Sequence, residues 1–191
     1  MLENNYKSLI AYVLKFAFYF CLLYFGTLGI IGLSTREGYY SPTVAKYFDF
    51  ISLLRSSYLH TCKAVLSLFN YQTTLTDKYT LMGMHGGIRM VYTCIGYGVM
   101  SFWASFIISN ISTWKRKILW VLGGLFSLWC INLLRICLLI IALDKHWPMP
   151  LGLDHHTWFN IAAYLLIFIM IYFYDKSSSK SFLKSTTPKH I

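Results

Sequence analysis

Apolar residues along this chain fall into long runs broken by short polar connections. Residues 9–33 (LIAYVLKFAFYFCLLYFGTLGIIGL), 91–110, 118–143 and 157–174 are each long enough to cross the roughly 30 Å hydrocarbon layer as a helix of about 20 residues. The pattern predicts four spans. Between the first and second, residues 43–69 behave differently. Val44, Tyr47, Phe48, Ile51, Leu54, Tyr58, Val65 and Phe69 recur at helical spacing, with Lys46, Asp49, Arg55 and Lys63 among the remainder. So many charges disfavour a span and predict one or two amphipathic helices, lying on the outer interface or packed on the bundle. Residues 71–93 (YQTTLTDKYTLMGMHGGIRMVYT) alternate weakly and carry β-branched and hydroxyl side chains ahead of Gly86 and Gly87, which predicts an extended segment or short hairpin.

The expected fold class is therefore an all-α integral membrane protein with four main transmembrane helices and an outer amphipathic segment. Residues 1–174 form one membrane-embedded domain, and the polar, basic residues 175–191 form a disordered tail. The first run lacks a small-residue cleavage pattern and exceeds the apolar core of a signal peptide, so it reads as a retained anchor. Composition agrees: 57% of the 191 residues are hydrophobic and only 13% charged, too apolar for an ordinary soluble domain.

Charge sets the expected orientation. Lys115, Arg116 and Lys117 fill the connection before the third span, and Lys176, Lys180, Lys184 and Lys189 follow the fourth, whereas the 144–156 connection has only Lys145. Basic connections are retained on the cytoplasmic side, so both termini are expected there, with 34–90 and 144–156 facing outward. The formal charge of +10 then reflects topology and attraction to lipid; no nucleic-acid module accompanies it. Five cysteines (Cys21, Cys62, Cys94, Cys130, Cys137) show no spacing typical of zinc ligation or a disulfide framework. Cys21, Cys130 and Cys137 lie within spans and are expected to be inert; Cys62 and Cys94 both lie near the outer face, which leaves a disulfide between them open.

Chemistry is concentrated at one depth. Arg135 interrupts an apolar helix, where a guanidinium costs at least a few kcal/mol and demands a partner, a wet cavity or snorkelling. Asn132 precedes it by three residues on the same helical face, which Gly124 and Ser127 continue. The other reading of Arg135 is a residue that snorkels or holds two helices together. At the top of the fourth span stands LDHHTWFN, with Asp154, His155 and His156 at the water boundary. Cys94 lies at the outer start of the second span. One cleft in the outer leaflet can thus combine a thiol, a guanidinium and an imidazole. A cation favours the thiolate and can hold an oxyanion, and a histidine supplies general acid and base, which together spell acyl transfer.

These residues resemble the exosortase and archaeosortase family of membrane-embedded cysteine transpeptidases. VYTCIGYG resembles its cysteine block, NLLRI (132–136) its asparagine and arginine block, and HTWFNIAAY (156–164) its histidine block, in the family's order and with similar intervening lengths over about residues 80–174. The resemblance implies Cys94 as nucleophile, Arg135 as the group that activates the thiolate or stabilises the oxyanion, and His156 as general acid and base. His155 is the alternative histidine and Asn132 a supporting residue. Counting four and eight residues on from His156 gives Asn160 and Tyr164, closer to the family's small and aromatic positions than Phe159 and Ala163, counted from His155. Ile95 stands where many members carry Ser or Gly, and Asn160 where glycine is usual. The family implies cleavage of secreted proteins at a sorting signal made of a short motif, a transmembrane helix and a basic end. The new C-terminus passes to a lipid or glycan acceptor on the outer side of the bacterial cytoplasmic membrane, with no cofactor. Two other classes stand beside it: a His/Cys metal- or haem-binding membrane protein using His85, His155, His156 and Cys94, and a non-catalytic assembly or transport subunit. His60, His85 and Arg89 lie on the expected outer side, as substrate-binding residues or simply solvated ones.

Overall fold

In the computed structural model the described residues are 2–35, 39–146 and 155–186, with side chains described for 6–35, 39–146, 157, 158 and 160–177. The chain is mostly helical. Four helices form the bundle: α1 (Leu2–Ser34), α4 (Tyr97–Ser109), α5 (Trp114–Asp144) and α6 (His155–Thr186). α4 packs between α1 and α5 and also touches α6, which lies against α5. Two helical stretches, Tyr6–Ser34 and Trp114–Asp144, are long and apolar enough to cross a membrane. Their outer faces carry large apolar side chains with nothing covering them, Phe18 at 63% exposure and Leu119 at 71%, a surface matched to hydrocarbon rather than water.

Of the expected span at 91–110, only Tyr97–Ser109 is α-helical. Its helix, α4, has 13 residues, shorter than the roughly 20 needed to cross unaided. Residues Tyr92–Ile95 instead form a 3-10 turn, and Gly96 follows it in the left-handed region at φ 77°, where a β-carbon is disfavoured. That glycine resets the backbone so that α4 starts at Tyr97. At the other end of the chain, α6 runs to Thr186, through residues expected to begin a disordered tail at 175; a continued helix keeps their backbone groups paired.

Close approach of α4 to α5 depends on a small residue. A β-carbon at Gly124 would lie 1.9 Å from the indole nitrogen of Trp103, which donates to the carbonyl of Trp120 at 3.0 Å. Trp103, Ile107, Leu128, Ile167, Met170 and Tyr174 fill the core at this level. At the basic end of the bundle Arg116 donates to the Tyr174 carbonyl at 2.9 Å and Lys117 to the Ile108 carbonyl at 2.6 Å, which ties the α4–α5 connection to α6.

A cap covers the opposite end. It consists of α2 (Pro42–Tyr47), α3 (Phe50–Leu68) and an antiparallel sheet of β1 (Thr74–Asp77), β2 (Thr80–Met82) and β3 (Gly87–Arg89). The amphipathic segment thus forms two helices, and the expected hairpin carries a third strand. Asp49 caps α3 by accepting from the Ser52 amide at 3.0 Å. α3 buries Ile51, Tyr58, Leu59 and Leu66 against Leu81 and Met90 of the sheet segment and Ile136 and Ile140 of α5. The loop after β2 is held to the end of α5, where Asp144 accepts from the His85 amide at 3.0 Å. Cap and bundle therefore share one core, and Cys94 sits at their junction.

Candidate active site

Three of the residues singled out in the sequence come together. The Arg135 guanidinium lies 3.8 Å from the Cys94 sulfur and donates to the Asn132 side-chain oxygen at 3.4 Å. Asn132, 1% exposed, turns its amide nitrogen to the carbonyls of Cys94 and Ile95 at 2.9 and 3.1 Å. These carbonyls belong to the 3-10 turn, so the asparagine fixes the cysteine's backbone while the arginine meets its side chain. Cys94 and Arg135 are both half-buried. A guanidinium in this shielded position binds an anion held beside the sulfur more strongly than it would in water.

Arg135 also lines a cavity of about 310 Å³ with Thr93, Gly96, Tyr97, Gly98 and Asn160. The first turn of α4 forms one wall, and a helix start presents amide hydrogens without intrahelical acceptors. Guanidinium and helix start thus face one space from two sides. An apolar groove of about 560 Å³ continues from it between α1, α4 and α6, sharing Tyr24, Gly98 and Val99 and lined further by Phe20, Phe102, Tyr164 and Phe168. Asn160 and Tyr164, four and eight residues after His156, reach the cavity and the groove respectively. α6 begins at His155, but the side chains of His155 and His156 lie outside the described residues, as does Asp154 altogether.

No family model, curated protein or solved structure matches the chain.

The remaining cysteines sort differently from the expectation. The Cys62 sulfur faces Cys137 at 3.0 Å rather than Cys94. Its hydrogen bond with Cys137, and then burial, push the Cys62 thiol up, which disfavours it as a nucleophile. Cys21 is exposed and Cys130 half-buried. His60, His85 and Arg89 are exposed, and the His85 ring meets that of His146 edge-on at 5.5 Å. Among the described residues no three His, Cys, Asp or Glu side chains converge as metal ligands.

One residue of the site was missed. Arg55 looked like the solvated side of an amphipathic helix, yet it is 5% exposed. Its guanidinium stacks over Tyr79 at 3.6 Å and Tyr92 at 4.4 Å and donates to the Met90 carbonyl. Tyr79 also bonds Ser52 through its hydroxyl at 2.7 Å. Arg55 thereby holds the chain two to four residues ahead of Cys94. Tyr79 and Tyr92 were the available signal, since a buried arginine needs aromatic faces or acceptors. Arg55→Ala is expected to cost about 2–4 kcal/mol, from the lost cation–π contacts and a charge-assisted hydrogen bond. Thermal unfolding in detergent checks this: Arg55→Lys should recover only part of the loss, and a melting point unchanged by Arg55→Ala would remove the clamp.

Proposed function

We propose that the protein is a membrane-embedded cysteine peptidase and transpeptidase of exosortase type. One observation carries the reading: residues 94 and 135, far apart in sequence, bring a thiol within 3.8 Å of a guanidinium beside a cavity. The ordered resemblance of the cysteine, arginine and histidine blocks supports the same chemistry. Cys94 gives its thiol proton to His156, or to His155 in its place, as its sulfur attacks the carbonyl carbon of the scissile bond. Arg135 and the amides at the start of α4 hold the resulting oxyanion. His156, or His155 in its place, protonates the leaving amine as the carbon–nitrogen bond breaks, which leaves a thioester on Cys94. The acceptor's nucleophile then loses its proton to the same histidine, attacks the thioester and releases the thiol.

Substrates are secreted proteins that end in a short motif, an apolar helix and a basic cluster. Such a helix would pack from the side against the apolar groove between α1, α4 and α6, with the motif at the Arg135 cavity. In this reading all four bundle helices cross the cytoplasmic membrane of a bacterium, aided at α4 by the turn and connection that extend it. Both termini are cytoplasmic, the cap and the cavity face outward, and the basic end of the substrate remains inside with Lys115, Arg116 and Lys117. The acceptor is a lipid or surface-glycan component.

The test is a trapped thioester. Membranes containing the protein are incubated with a secreted protein of that tail design from the same cell, quenched in acid and digested with trypsin. The substrate's new C-terminus should appear joined to peptide 90–115, which holds Cys94, and neutral hydroxylamine should release it. Processing without any such adduct, under quenching that preserves thioesters, would overturn the acyl-enzyme.

A further inference from the structure

Cys62 of α3 and Cys137 of α5 are both buried, stand 75 residues apart in sequence and hold their sulfurs 3.0 Å apart. That is about 1 Å beyond the length of an S–S bond, roughly 2.0 Å. Two thiols meeting in a core by chance need no such approach, since sulfur packs as readily against the surrounding leucine and isoleucine side chains. The position in the fold is also specific. Cys62 follows Arg55, which clamps the chain before Cys94, by two helical turns; Cys137 follows Arg135, which meets the Cys94 sulfur, by two residues. Otherwise α3 and α5 meet through apolar packing, the stack of Tyr58 on Trp129 and a hydrogen bond from Trp129 to Ser57 at 3.2 Å. A link between residues 62 and 137 would fix the register of the two helices that both contact the cysteine turn.

We propose that Cys62 and Cys137 form a disulfide that staples the outer cap to α5. An S–S bond forms and two S–H bonds break. The two protons and two electrons pass to the disulfide of a thiol–disulfide oxidoreductase, which leaves as two thiols. The exchange runs through a mixed disulfide on one cysteine that the other resolves. Cys94 stays reduced, because its sulfur meets Arg135 rather than another thiol. The staple rests on the outward orientation of the cap given under the proposed function, since a reducing compartment would keep both thiols free. It does not rest on acyl transfer.

Each of the five cysteines falls in its own tryptic peptide, which makes the test direct. Membranes are denatured with iodoacetamide and no reductant, then digested and analysed by mass. Peptide 56–63 should be joined to 136–145 as the predominant form, with 90–115 alkylated at Cys94. Alkylation of both Cys62 and Cys137 without reduction would overturn the proposal, as would a link from Cys62 to Cys94. Brief oxidation of parallel membranes by copper–phenanthroline separates the causes of failure. Thiols that are free as isolated but then link would locate the error in the compartment, and thiols that never link would locate it in the geometry. Because the readout is thiol state, neither outcome depends on whether substrates are processed.

Discussion

Cys94→Ala is expected to abolish processing of a tail-bearing substrate, by about 10⁴-fold or more, while leaving the protein folded at normal abundance. The size follows from covalent catalysis: without the sulfur no thioester forms, and positioning by Arg135 and the start of α4 cannot replace the nucleophile. The folding expectation follows from the site. Cys94 is half-buried in a turn whose backbone is held by Asn132 through carbonyls that an alanine retains, so little stability rides on the sulfur itself. Cys94→Ser should be nearly as inactive, because a hydroxyl beside a guanidinium does not ionise as a thiol does. The measurement is the ratio of processed to unprocessed substrate in membranes, at matched levels of each variant. Full processing by Cys94→Ala would end the enzyme reading and return this cysteine to ordinary packing.

Part of this candidate site is legible because polar side chains are conspicuous in so apolar a helix. Arg135 and Asn132 stand out in an apolar helix, and the geometry pairs them with each other and with Cys94. The turn around Cys94 was hidden for the converse reason. YTCI is as apolar as a helix beginning, and only Gly96, whose conformation cannot be read from hydropathy, separates the turn from α4. Long-range closure hid the rest. Arg55 acquires its role from Tyr79 and Tyr92, which the sheet brings over it, and Cys62 acquires Cys137 from a helix that follows the whole cap. Periodicity records which face of an element is apolar; it does not record which distant element will cover a charge on the other face. The short sheet was foreshadowed by weak alternation and Gly86–Gly87, but its third strand follows from pairing of Leu81 with Ile88, a property of register rather than composition.

Arg135 carries the second large expectation, and it separates a catalytic from a structural arginine. Arg135→Gln should lower processing about 10²–10³-fold, the usual consequence of removing one donor aimed at a developing oxyanion, about 2.7–4 kcal/mol of transition-state stabilisation. Glutamine retains a hydrogen-bonding partner for the Asn132 oxygen but removes the charge from the neighbourhood of the sulfur. Melting in detergent should therefore stay close to wild type, or rise, since a guanidinium within an apolar bundle is costly to shield. Arg135→Lys keeps the charge but loses the planar fork that reaches Asn132 and Cys94 together, so its activity should fall between those of glutamine and arginine. Processing rate and melting point measured on the same preparations decide the matter. A structural arginine would give the opposite signature, with Arg135→Gln lowering the melting point and losing activity only in proportion to the folded protein that remains. That result would leave Cys94 without the charge its chemistry requires.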